Sequence, residues 1–552
     1  MKGRIEEVLE SSLAAARRAG ELSSERTAAA ALEVPKDRSH GDLATNLALT
    51  MAKAEKKAPR AIAEALISHL DDPEGWIEST EVAGPGFLNF RLTPRFWQTE
   101  LAALSRAPAL GVSGIGSGRR VQVEFVSANP TGPLTVGHGR NAVLGDTVAR
   151  LLSETGHDVE REYYFNNAGR QMKVLGASVQ ARYLEEIGRP AEFPEDGYQG
   201  DYIREIAHAL AEEHGEGLAD HEGTAFRDAA QGAIFQEIRA TQERLGIVFD
   251  HYFNEDSLYS SGAIDRVLEA LDAKGLVDRR EGAVWLRGEE VGLDKDRVLV
   301  KSSGEPAYRL PDIAYHENKL ARGFDQVVDV LGADHIEENR EVIKALGALG
   351  CEGDRVRTVI YQFVTLTRHG EQVKMSTRRA EFVTLDDLLD EVGVDAVRFF
   401  FLSRKSDSHL EFDLELARKR STDNPVYYVQ YAHARISNLF AEAERQGVDV
   451  PRGATDAREL GALSDADDFD LIHQAASYAE VVDLAARELE PHRVVFYLQD
   501  LAASLHRYYN KHRILGDEAP DRVRARLALF GVVQRVLAAG LGLLGVSAPE
   551  RM

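Results

Sequence analysis

The sequence predicts an α/β protein: a doubly wound parallel sheet, preceded by an α+β domain and followed by an all-α helical bundle. Three observations carry this expectation. Strand-like and helix-like segments alternate between residues 119 and 423, the order that right-handed crossovers of a parallel sheet produce. The first hundred or so residues read as helices ending in a strand-like stretch, GPGFLNFRL (Gly84 to Leu92). From about Asn424 the apolar pattern is helical almost to the end. With 552 residues, several domains are expected rather than one continuous core.

Residues 1–110 form the expected N-terminal domain, closed by a Gly/Ser-rich linker at Gly111 to Gly118. Val121 to Val126, VQVEFV, alternates β-branched and aromatic residues with polar ones, as a strand does. A Pro/Gly turn then leads into a helix expected from about Arg140 to Glu154, ending before Gly156. DVEREYYF (Asp158 to Phe165) reads as a second strand, and a helix follows from about Gly169. Residues from about 185 to 300 read as an acidic, largely helical insertion. QVVDVLGADH, EVIKALGALG and RVRTVIYQFV then repeat strand, helix, strand. The middle domain is thus expected at 119–423 and the bundle at 424–552, with no repeat or low-complexity tract.

Composition bounds the function. Hydrophobic residues make up 44% and charged residues 28%, an ordinary globular balance. No apolar run approaches the ~20 residues needed to span a bilayer, and the charged N-terminus lacks a secretory h-region. Cys351 is the single cysteine, which excludes intrachain disulfides and argues against a cysteine-built structural zinc. A reducing, cytoplasmic setting is expected. The net charge of −24 argues against gripping nucleic acid through the overall field. Any RNA contact must use local basic runs such as Arg418-Lys419-Arg420, or His506-Arg507 through Lys511-His512-Arg513.

The most informative stretch is Glu124 to Arg140, EFVSANPTGPLTVGHGR. It runs from the carboxyl end of a predicted strand through a Pro/Gly loop into a helix. Ligands of open α/β sheets bind at such strand ends, and helix N-termini attract phosphate. Gly137 and Gly139 allow close backbone approach, and His138 is placed to donate to phosphate oxygens. No metal-ligating constellation stands out.

The string SANPTGPLTVGHGR resembles the first signature of class I aminoacyl-tRNA synthetases, in the wording of the arginyl enzymes. Thr135 stands where that family usually has its first histidine; it keeps a hydroxyl donor but cannot become cationic. Lys374-Met375-Ser376-Thr377-Arg378, continuing RRAEFVTLDDLL, resembles the family's second, KMSK signature. A loop presenting an ammonium and a hydroxyl stabilises the charge that grows as pyrophosphate leaves. Thr377 replaces the second lysine, Ala380 a common glycine, and Asn167, in Tyr163 to Gln171, the usual aspartate.

The resemblance implies a Rossmann-like catalytic domain that activates L-arginine with ATP and transfers it to the 2′-hydroxyl of the terminal adenosine of tRNA(Arg). It implies catalytic roles for His138, Lys374, Ser376 and Thr135. The ATP site would comprise Pro130, Gly132, Thr135, Gly137, His138, His335, Lys374, Met375 and Ser376. A guanidinium is best held by carboxylates accepting paired hydrogen bonds. Asp312 and Tyr308, in AYRLPDIAYH, match the family's substrate aspartate and tyrosine, with Pro311 as a natural first helical position. Glu255 matches a further acid, and Glu124, Ser127, Asn129 and His335 match residues around the rest of the amino acid. Tyr427, Tyr431 and Arg435 sit in a string close to the start of the family's anticodon-binding domain. ATP with Mg²⁺ and no structural zinc are expected, with tRNA(Arg), arginine and ATP as partners, no membrane, and a monomer. Two alternatives share part of the pattern: a small-molecule nucleotidyltransferase, and a catalytically silent tRNA-binding relative.

Overall fold

The computed structural model describes residues 2–23, 32–35, 37–167, 169–221, 223–373, 383–516 and 518–552. Its centre is a five-stranded sheet, parallel throughout. The order across it is Val356–Tyr361, Gln326–Gly332, Arg120–Glu124, Asp158–Phe165, His251–Asn254. From Arg120–Glu124 the chain moves outward through two strands on one side. It then returns to place Gln326–Gly332 on the other. The sheet therefore reverses its winding beside Glu124, where a doubly wound fold opens its ligand crevice. Val121, Val123, Val327, Val328 and Val330 are buried on both sheet faces, which explains their near-continuous apolar runs.

Helix Val136–Glu154 crosses from the first strand to the second. It begins four residues earlier than the sequence pattern placed it, because Thr135, not a residue nearer Arg140, caps it. The region from 185 to 300 differs from the helical insertion expected. It contains helices Asp201–His214 and Thr224–Arg244, but His251–Asn254 joins the parallel sheet as its edge strand. Residues Val277–Arg280, Ala283–Leu286 and Arg297–Val300 build a separate antiparallel sheet. These strands have four residues each, too few for a period of two to stand out from helix. The local signal is the turn at Glu281-Gly282. Both have positive φ, 54° and 74°, as a tight two-residue hairpin loop demands.

The N-terminal domain carries a four-stranded antiparallel sheet, Leu32–Glu33, Leu43–Thr45, Phe87–Leu92 and Ile77–Ala83, with helices Lys2–Arg18, Leu47–Glu55 and Pro59–Ser68. Helix Pro94–Arg106 follows and docks on the C-terminal bundle. There Trp97 meets His473 edge to face at 5.5 Å, and Arg535 Nη1 donates to Leu104 O at 3.1 Å. The bundle comprises Pro425–Arg445, Ala466–Ala476, Tyr478–Glu488, His492–Lys511 and Pro520–Leu543. Pro520–Leu543 is long and apolar enough to cross a membrane, yet most of it is buried within the bundle. Packing against neighbouring helices explains its apolarity.

Candidate active site

The chain leaves Glu124 through two left-handed residues, Val126 (φ 65°) and Ser127 (φ 43°). A β-branched residue there is strained, so the surroundings must impose it. Val126 N–H donates to Asn141 Oδ1 at 2.6 Å, and Asn141 Nδ2 donates to Val330 O at 2.9 Å. Tyr163 Oη donates to Ala128 O at 2.7 Å, and Asn129 Nδ2 to Gln171 Oε1 at 2.8 Å. The loop is thus pinned to helix Val136–Glu154 and to the strands on either side of its own.

At the end of this loop, Thr135 and His138 cap the helix reciprocally. Thr135 N–H donates to His138 Nδ1 at 3.2 Å, which leaves the proton of the neutral ring on Nε2. Burial holds His138 below its ordinary pKa, so the ring is neutral at pH 7. The two glycines around it differ. A Cβ on Gly137 would meet only Thr135 Oγ1, at 3.7 Å, whereas one on Gly139 would lie 2.5 Å from Leu385 Cδ1. Gly137 leaves the helix end open; Gly139 serves packing.

His138 borders a cavity of about 520 Å³ at the carboxyl ends of the strands. Glu124, Ser127, Asn129, Tyr308, Asp312 and His335 also line it. A neighbouring cavity of about 450 Å³ shares Asn129 and His138, and adds Gly132, Thr135 and the segment 195–200 with Tyr202. Pro130 is buried and lines neither.

Asp312 lies in the first turn of helix Arg309–Ala321, with Tyr308 as its N-cap and 69% exposed at the rim. Pro311 is the third helical residue rather than the first. Burial pushes the Asp312 carboxyl up to about 7, with Glu338 and Glu124 adding to it and His316 and His335 opposing. Glu255 is buried behind this wall, and its Oε2 finds no hydrogen-bond partner among the described residues. Burial, then the nearby Asp312 and Asp256, push it up to about 7 as well. Glu255 itself does not line the 520 Å³ cavity. Two adjacent acids whose carboxyls are held this high make a site that favours an incoming cation.

Glu124 is held differently. Its Oε1 accepts from Ser127 Oγ at 2.8 Å, and Oε2 accepts from Lys319 Nζ. His335 is exposed at the cavity rim beside Glu338 and Asp334, at 3.8 and 3.7 Å, which together raise its pKa. Residues not singled out from sequence also shape the cavity: Tyr164, Asn141, Tyr361, His316 and Asp329. The spacing of Asp312, His316 and Lys319, which puts them on one helix face, was the available signal.

The loop expected to carry Lys374, Met375 and Ser376, with Thr377 and Ala380, lies outside the described residues. Just beyond it, Thr384 pairs with Thr135, and Leu385 N–H donates to Leu134 O at 2.8 Å.

In the C-terminal bundle a cavity of about 740 Å³ is lined by Tyr431, Arg435, Tyr509, Lys511, His512 and Arg513, among others. Arg435 lies 3.9 Å from the Tyr509 ring centre and 5.9 Å from that of Tyr431. Tyr427 is outside the lining but stacks on Tyr431 at 6.3 Å.

Comparisons with known proteins bear on the family and the fold. The arginyl tRNA synthetase N terminal domain matches residues 3–92. The catalytic domain of class I (R) tRNA synthetases matches 103–413, and the DALR anticodon binding domain 429–552. The arginine–tRNA ligase of Desulfotalea psychrophila is 48% identical over 523 residues, 94% of each chain. That of Chlorobaculum tepidum is 49% identical over 533 residues, 94% of this chain and 96% of its own. The solved Thermus thermophilus arginyl-tRNA synthetase, at 24% identity, superposes over 100% of both chains with a TM-score of 0.76, a likeness of fold. With its catalytic domain matched over more than half its length and relatives near half identical along almost all of it, the chain belongs to the class I arginyl-tRNA synthetase family.

Proposed function

We propose that this arginine–tRNA ligase joins arginine to ATP in the 520 Å³ cavity, with Asp312 on its lining receiving the guanidinium and Glu255, buried behind that wall, adding negative charge to it. The observation that carries this is the pair of buried acids, both with carboxyls pushed up to about 7 by burial and by neighbouring acidic charge, and with Glu255 Oε2 lacking a hydrogen-bond partner among the described residues. A permanently charged, planar guanidinium supplies what they lack. Glu124, Ser127 and Asn129 line the part of the cavity next to the strained loop, where they face the amino acid's backbone groups. A wrong amino acid would leave the acids unpaired in a buried site, a penalty on the order of 10⁴ in discrimination.

In the first step the arginine carboxylate attacks the ATP α-phosphorus and pyrophosphate leaves. ATP enters with Mg²⁺ as one substrate, the ion held mainly by phosphate oxygens. His138 donates through Nε2 to the phosphates, with Thr135 fixing its tautomer and Gly137 leaving room for approach. His335 and Gly332, at the end of the neighbouring strand, border the adenosine side. Lys374 and Ser376 are assigned, on the sequence pattern, to the leaving pyrophosphate. In the second step the terminal 2′-hydroxyl of tRNA attacks the adenylate carbonyl. Positioning and electrostatics suffice for both, and no covalent enzyme intermediate is invoked.

Tyr431 and Arg435 are assigned to the anticodon arm. The cavity they line combines cations with partly exposed tyrosine rings, the chemistry that stacks unpaired bases and neutralises phosphate. We place the domains at 1–110, 119–423 and 424–552, and the enzyme in the cytoplasm as a monomer. Aminoacylation of total tRNA with each of the twenty amino acids is the direct test: charging with arginine alone supports the reading, and none with arginine removes it.

A further inference from the structure

Helix Arg309–Ala321 presents Asp312, His316 and Lys319 at spacings of four and three residues, hence on one face. Lys319 is fully buried, unusual for a lysine unless it is paired. Its ammonium donates to Glu124 Oε2 on the central strand and, at 2.7 Å, to Asp329 Oδ1 on the neighbouring strand. Asp329 Oδ2 meets His316 Nε2 at 2.9 Å, and His316 Nδ1 donates to the backbone oxygen of Asp312 at 2.8 Å. Both partners of His316 are acceptors, which suits a doubly protonated ring. Burial opposes that charge, but Asp329 outweighs it and raises the His316 pKa.

Two carboxylates and two cations thus form a balanced buried group. It ties the two strands at the winding reversal to the helix that carries Asp312. Asp312, on the cavity wall, and Glu255, behind it, stand outside this group with their carboxyls pushed up to about 7.

We propose that Lys319 is a positioning residue for arginine: by bridging Glu124 and Asp329 it sets the carboxylate facing the amino acid and the rotation of the helix that presents Asp312. It touches no substrate, and nothing in the sequence motifs assigned it a role. A change of about 1 Å in a positioned group costs on the order of 10²-fold in the step it serves, so the effect is measurable. This inference rests on the arginine reading of the cavity given above.

The test is ATP–pyrophosphate exchange on the full-length enzyme with tRNA present, comparing K319M and K319M/D329N with wild type. The double variant removes one charge of each sign, so the buried group stays balanced where K319M alone leaves an unpaired carboxylate. We expect the arginine KM to rise roughly tenfold to a hundredfold while the ATP KM stays within about twofold. Equal increases in both constants, or an unchanged arginine KM in a folded variant, overturn the proposal. So does failure of both variants to fold, which would make Lys319 a plain core residue. D312A is the control: if it also leaves the arginine KM unchanged, the pocket reading fails, whereas a raised KM in D312A alone isolates the fault to Lys319.

Discussion

The Thr135 backbone N–H and His138 Nδ1 lie 3.2 Å apart, a contact that both starts the helix and decides which nitrogen of the imidazole bears a proton. The donor left over is Nε2, on a side chain that lines both neighbouring cavities. A glutamine amide reproduces a donor at the Nε2 position, while an asparagine reproduces only the Nδ1 end. H138Q should therefore keep more exchange activity than H138N, and H138N should lose about 10²–10³ in kcat with its unfolding transition nearly unmoved. Equal losses in the two variants would count against the Nε2 role.

Asp312 supplies charge that ATP does not use. Asp312→Ala should raise the arginine KM by about 10²-fold or more and leave ATP binding almost unchanged. Glu255→Gln, which keeps shape but removes charge, should act in the same direction. Steady-state exchange with each substrate varied in turn separates the two constants.

Asp312 and Glu255 both have carboxyls raised to about 7 in the free protein. Binding a guanidinium needs them ionised, so arginine uptake near neutrality should release protons, and the arginine KM should rise about tenfold or more from pH 8 to 6. The sign for stability is opposite. An unfolded carboxyl ionises near pH 4, so the native state holds the extra proton between about 4 and 7, and the free enzyme loses stability as pH rises through that window. Calorimetric titration in buffers of different ionisation enthalpy measures the proton count; zero release at pH 7 contradicts the assignment.

Arg435 bridges two tyrosine rings at the C-terminal cavity. Tyr431→Ala and Arg435→Ala should each weaken tRNA by about 1–3 kcal/mol, seen as a raised tRNA KM, with arginine KM at saturating tRNA unchanged. A filter-binding isotherm at fixed salt gives the same comparison without catalysis.

Arg398 joins distant parts of the chain. Fully buried, it reaches Asp146 Oδ2 at 2.5 Å, Leu544 O at 2.7 Å and Leu245 O at 2.9 Å. Arg398→Met should cost about 3 kcal/mol of stability, because two carbonyls lose their charged donor. Denaturant unfolding monitored by fluorescence reads this directly.

The parallel sheet, the helical C-terminal third and the string from Glu124 to Arg140 are legible in the sequence itself, because long apolar runs and helical periods are local properties of the chain. The cap at Thr135 shifted the helix start, and four-residue strands between 251 and 300 escaped notice, because too few residues repeat for a period to show. Asp312 and Glu255 were legible as acids matching a family pattern. Only tertiary structure buried them side by side with their carboxyls raised, since burial and neighbouring charge depend on segments far apart in the chain. The same holds for Lys319. Its place at zero exposure between Glu124, 195 residues away, and Asp329 is set by how a helix docks across two strands, and no local pattern encodes that.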